Sequence, residues 1–116
     1  EQGMGVLIKR PMANGTWGAD PERPNATGQW GRMLPRAQAM EAGGPVPGSP
    51  DDRIELAFGF TLSYDAVDVA LTGTKNPRHM ASNLELFERG ISLAADAVSE
   101  LESRFDRLDD GWVQLE

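Results

Sequence analysis

A chain of 116 residues with 40% apolar content is enough for one small globular domain and is unlike a disordered or membrane-embedded one. Eighteen acidic against 11 basic residues leave a net charge of −7, which argues against a general nucleic-acid or anionic-membrane binder, so any anion site has to be local. Without cysteine there are no disulfides, thiolate metal sites or thiol nucleophiles, and a single His leaves little for zinc, so no metal site is expected.

No apolar stretch approaches the length of a membrane span, and "EQGMGVLIKRP" has no basic flank before its short apolar run, so it does not read as a signal peptide. The expectation is a cytoplasmic chain with no membrane partner. A first residue other than Met makes it read as a piece of a longer protein.

"GVLIKRP" predicts a buried strand over 5–10, closed by Pro11. Residues 11–50 then hold seven of the eight prolines and seven of the 13 glycines, which predicts a long irregular connection over 11–49, a lid, a binding loop or a disordered segment, with room for a short helix in "MLPRAQAMEAGG" ending at Gly43. Ser49 as cap, Pro50 at the first helical position and Asp51 and Asp52 in the first turn predict a helix over 50–63. Its apolar face is Ile54, Ala57, Phe58, Thr61 and Leu62.

"AVDVALTG" predicts a second strand over 67–72. Asn76 and Pro77 open a helix over 77–89 whose inner side is Met80, Ala81, Leu84 and Phe87, and Gly90 ends it. Ser92 is expected to cap a last helix over 93–109, with Leu93, Ala97, Val98, Leu101, Phe105 and Leu108 inward and Asp96, Glu100, Arg104 and Arg107 outward. Strands alternating with helices imply an α/β fold with parallel strands. Two such strands leave both sheet edges unpaired, so a partner or further chain has to complete the sheet.

The chemistry concentrates in "GTKNPRHMASN", where a loop leaves a strand and enters a helix N-terminus, the place where α/β proteins bind phosphates. Gly73 allows close approach, Thr74 offers a hydroxyl, and Lys75, Arg78 and His79 supply cationic or donor groups. Asn83 follows His79 by four residues and has the donor and acceptor pair that suits an adenine edge. A plain helix cap with solvated surface charges is the competing reading of these residues. Asn14-Gly15-Thr16 and Asn25-Ala26-Thr27 match the glycosylation acceptor pattern at chance level, and Asp106, Asp109 and Asp110 read as a surface charge run.

"FTLSYDAVDVALTGTKNPRHMASNLE" resembles the closing strand and following helix of the aldo/keto reductase family, in which a pattern close to Gly-Thr-x-x-x-x-x-Leu-x-x-Asn recurs, with Met80 standing at the Leu position. "GVLIKRPMANGTW" is similar to the strand before it. The resemblance implies the C-terminal portion of a TIM (β/α)8 barrel, its last two parallel strands and their helices, contacting NADP. On that reading Gly73, Thr74, Lys75 and Asn76 lie along the 2′-phosphate, His79 beside it and Asn83 on the adenine, while Arg10, Pro11, Met12 and Asn14 approach nicotinamide and pyrophosphate. Lys9 departs from the family's usual aromatic, and Ser82 replaces a frequent Glu or Gln.

In that family a Tyr donates the proton in carbonyl reduction, assisted by Lys, Asp and His from the N-terminal half of the barrel. Tyr64 sits in a helix-to-strand turn and His79 belongs to the cofactor pattern, so no catalytic residue is expected in this chain. A whole barrel takes about 250 residues. The implied partners are therefore NADPH and the missing N-terminal half of the barrel or another copy of the chain. The rival is a truncated, non-catalytic module that binds itself or a partner, and a third reading is an unrelated small α/β phosphate binder.

Overall fold

The computed structural model describes residues 3–20, 22 and 28–113, so the acceptor pattern at Asn25 lies outside them. The described residues form a small mixed α/β protein with four α-helices and one two-stranded parallel sheet, β1 (Leu7–Lys9) beside β2 (Val69–Leu71). The helices are α1 (Gly28–Glu41), α2 (Arg53–Leu62), α3 (Pro77–Arg89) and α4 (Ala95–Leu108). The chain divides into two units, residues 1–11 with 50–93, and residues 12–49 with 94–116.

In the first unit Leu7 pairs with Val69, Ile8 with Ala70 and Lys9 with Leu71. Asp68 fixes that register. Its carboxylate accepts from the Val6 amide at 2.6 Å, while the Asp68 and Val69 amides both donate to the Val6 carbonyl. The expected buried strand is corrected here: Leu7 is 55% exposed and Leu71 50%, because the alternation of a strand puts Leu7, Val69 and Leu71 on a face that the described residues cover only in part. Ile8 and Ala70, on the other face, are partly covered, and β2 packs on α2.

Helix α2 starts three residues later than expected. Asp52, not Ser49, is its cap: the carboxylate accepts from the amides of Ile54 at 2.7 Å and Glu55 at 3.3 Å, and its charge makes it the stronger acceptor at a helix N-terminus. The Ser49 amide is spent on a turn to Val46. Phe58, fully buried, meets Phe87 of α3 edge-on at 5.0 Å, and Leu56, Gly59 and Leu86 complete the interior. At Gly59 a Cβ would lie 3.2 Å from that of Leu93, so the close approach of the 91–93 segment depends on glycine.

In the second unit the segment read as irregular loop contains the 14-residue helix α1, which begins five residues before Met33 and holds Pro35 in its interior. Proline removes one amide and disrupts one turn, yet packing against α4 offsets this. Among the described residues of this unit Thr16, Leu34, Val46, Ala97, Leu101 and Arg104 are buried. Helix α4 begins after Ala94, whose carbonyl accepts from Ala97 and Val98, and no side chain caps it, so the expected cap at Ser92 is corrected.

Arg104 corrects the face assigned to it. It is 2% exposed, one turn beyond Leu101 on the buried stripe. Its guanidinium donates to the carbonyls of Met40 at 3.1 Å, Gly44 at 2.6 Å and Pro45 at 3.1 Å, and to the Glu100 carboxylate at 2.7 Å. It therefore closes the C-terminal end of α1, where carbonyls lack helical partners. A Cβ at Gly43 would lie 3.0 Å from the guanidinium carbon, so any larger residue there would require the Arg104 head group to shift. Trp112 packs edge-on against Phe105 at 5.8 Å and lies under the Arg36 guanidinium at 5.2 Å, so the 109–113 segment folds back onto this unit.

The Arg104→Met variant leaves three carbonyls and a carboxylate without their donor and is expected to lose about 2 to 4 kcal/mol of stability in urea unfolding. The Arg104 hydrogen bond, reinforced by the charges of Arg104 and Arg107, holds the Glu100 carboxyl below its ordinary 4.5 against the opposing effect of desolvation. A depressed carboxyl stabilises the fold above its unfolded value and loses that contribution as pH falls through its folded value. Stability is therefore expected to drop on acidification below 4.5, and Glu100→Gln to flatten that part of a urea-midpoint profile measured against pH.

Candidate functional site

Parallel pairing in register sends both strands out of the sheet at the same end. Arg10 and Pro11 follow Lys9, and Thr72 and Gly73 follow its partner Leu71, so two strand-to-helix loops start side by side about 5 Å apart. Arg10 has φ 60, a left-handed conformation that costs a non-glycine residue roughly 1 kcal/mol or more. Strain of this kind at the C-terminal end of a parallel strand is where α/β proteins place ligands.

The second loop is built by nested local bonds. Thr74 Oγ1 accepts from the Asn76 amide at 3.1 Å, and Asn76 Oδ1 accepts from the Arg78 amide at 3.0 Å, which caps α3. Pro77 stands at the first helical position, where its missing N–H costs nothing. Gly73 faces open space, and among the described residues the amides of Gly73, Thr74 and Lys75 have no protein acceptor. Lys75, Arg78 and His79 are exposed. Free amides, a helix N-terminus and the cations Lys75 and Arg78 make a local positive site in an acidic protein.

Asn83 is placed differently. It is 7% exposed, and among the described residues its side-chain amide makes no hydrogen bond. With Leu86 it forms the buried side of α3, whereas Met80, Leu84 and Phe87, expected inward, are 37%, 56% and 41% exposed, and Ala81 is exposed too. Phe87 keeps its ring against Phe58, so the apolar stripe lies along the margin of the interior rather than within it. Ser82 donates to the Arg78 carbonyl at 3.0 Å, within its own helix.

The expected site residues thus fall into two sets. Arg10, Pro11, Gly73, Thr74, Lys75, Asn76, His79 and Asn83 belong to the first unit, while Met12 and Asn14 belong to the second. Asn14 has φ 58, and its amide donates to the Met33 sulfur at 3.4 Å. Tyr64 rests edge-on against Phe60 at 5.5 Å. Among the described residues no group of three or more acidic, His or Cys side chains is arranged to hold a metal ion, and Asp109 accepts from the Trp112 amide. No helix of the described residues is long and apolar enough to cross a membrane. No family model, curated protein or solved structure matches the chain.

Sequence reasoning missed the burial of Asn83, and the signal that could have found it is its spacing of three from Leu86. A buried amide without a partner is a standing cost of about 1 to 3 kcal/mol. Asn83→Leu, of similar volume and apolar, is therefore expected to raise the stability of the ligand-free protein by on the order of 1 kcal/mol in urea unfolding. Asn76→Ala is expected to lower it by about 1 kcal/mol through loss of the cap.

Proposed function

We propose that the first unit is the phosphate-binding end of an NADP site, of the kind found in the aldo/keto reductase barrel, and that this chain supplies cofactor contacts without the reacting groups. The observation that carries this reading is the shared exit of two parallel strands toward the capped N-terminus of α3, with Lys75 and His79 beside free amides in a chain of net charge −7. Lys75 and the 73–75 amides fit an anion such as the 2′-phosphate. Asn83 is the group an adenine edge would satisfy, since its donor and acceptor are otherwise idle.

When bound, NADPH supplies a hydride. The residues of this chain would position it: Arg10 and Pro11 at the end of β1, Thr74 and Lys75 at the phosphate, Asn83 at the base. Proton donation would come from groups on the rest of a complete barrel, whose further strands would also cover Leu7, Val69 and Leu71. The exposure of those three apolar residues equally favours a second reading, a non-catalytic module whose sheet is completed by another protein.

Fluorescence titration with NADPH and NADH separates these readings. Saturable NADPH binding is expected, with Lys75→Glu weakening NADPH by about 10 to 100-fold and NADH far less, because only the former carries the 2′-phosphate. Asn83→Leu is expected to weaken both equally. If neither cofactor binds, or if Lys75→Glu affects both alike, the NADP reading fails and the module reading stands.

A further inference from the structure

We propose that Asn14 is a site of self-deamidation that the fold keeps shut, so that its side chain is converted to a carboxylate only when the turn carrying it opens. An asparagine is lost in this way when the backbone nitrogen of the next residue attacks its side-chain carbonyl carbon. A following glycine, with no side chain to obstruct the approach, makes that attack easiest. Of the four asparagines only Asn14 precedes a glycine. Asn76 precedes Pro77, whose nitrogen has no proton to lose, and Asn83 lies inside α3 at 7% exposure. In the reaction the Gly15 nitrogen forms a bond to Asn14 Cγ while the Cγ–Nδ2 bond breaks, and the Gly15 amide proton leaves on the departing ammonia. Water then opens the five-membered imide at either carbonyl, giving aspartate or isoaspartate. Water is the one co-reactant, and Asn14 is exposed to it.

Three features of the closed turn oppose the first step. Asn14 has φ 58 and ψ 23, which nearly eclipses the Gly15 nitrogen with the backbone nitrogen of Asn14 and turns it away from the side chain. The Gly15 amide donates to the Met12 carbonyl at 2.7 Å, so its proton is held. The leaving group, Nδ2, donates to Met33 Sδ at 3.4 Å, which ties the side chain to α1. One buried residue fastens this arrangement. Thr16 is 1% exposed, its hydroxyl donates to the Ala13 carbonyl at 2.9 Å, and its carbonyl accepts from the Ala19 amide. Attack therefore waits on opening of the 12–16 turn, and the rate in the folded chain is the rate of the open chain multiplied by the open fraction. The change runs one way. A carboxylate cannot donate to Met33, and isoaspartate adds a backbone carbon before Gly15, so the product does not rebuild the turn.

Peptide mapping of the full chain by mass spectrometry, after warm incubation at neutral pH, reads the amide-to-acid change at Asn14 directly. The folded chain is expected to convert at least about tenfold more slowly than the chain unfolded in urea at the same pH. Absence of conversion at Asn14 in the unfolded chain overturns the site, and a folded chain that converts no more slowly overturns the gate. In the wild type the folded-state rate is expected to stay flat in urea below the unfolding midpoint, because opening one turn exposes little surface. A rate that climbs in step with global unfolding overturns the local opening. Thr16→Val, which keeps the buried volume and removes the hydroxyl, is expected to raise the folded-state rate at least about fivefold and leave the rate in urea unchanged. An unchanged folded-state rate in that variant overturns Thr16 as the fastener.

Discussion

Pairing of residues 7–9 with 69–71 is the constraint from which the arrangement of the first unit follows, since it joins two segments separated by about sixty residues of chain. Closing a loop of that length is entropically costly, and two three-residue strands bring few hydrogen bonds to offset it. The remainder comes from neighbours: the Asp68 carboxylate and the doubly used Val6 carbonyl at the start of the ladder, and the packing of β2 on α2 behind it. Parallel direction then dictates where the chemistry can be. Both strands deliver their following loops to one end, and the capped start of α3 is next in the chain after the second of them.

The second unit rests on a different device. Its buried apolar residues are few among those described, and its two helices meet around an arginine. A buried guanidinium is expensive unless every donor is used. Here the donors go to the carbonyls that α1 and its following turn leave over, and to Glu100 on the same helix, so the charge is neutralised while the end of α1 is closed. Gly43 shows how tightly the turn wraps that group.

Local signals were the legible part. Asn76, Pro77 and Gly90 act within a turn of their own position, and the structure runs α3 from Pro77 to Arg89. The parallel relation of the strands follows from the helix between them. Whatever depended on tertiary context was not legible. Helix α1 carries Gly28, Gly31 and Pro35, which read as breakers until α4 is packed beside it. Ser49 and Asp52 both had cap chemistry, and only the course of the chain through the Val46 turn decides between them. Arg104 belonged by spacing to the stripe of Ala97 and Leu101, but its charge argued for the opposite face. Of the candidate site, the loop from Gly73 to Asn76 could be read from sequence because it is built by bonds two residues long. The burial of Asn83 could not, because it depends on which side of α3 is packed against the rest of the unit, and Asn83 shares that side with Leu86.

The chain passes from one unit to the other after residues 11, 49 and 93, so each unit is assembled from two separate segments. This sets an order of events during synthesis. Strand β1 emerges early and waits, without its partner, until β2 has been made. The first unit has all its segments once residue 93 has left the ribosome, while α1 still lacks α4 and the arginine that closes its end. The segments of the first unit are therefore all made before those of the second are complete, and the helix with an interior proline is the last to have its packing partner synthesised.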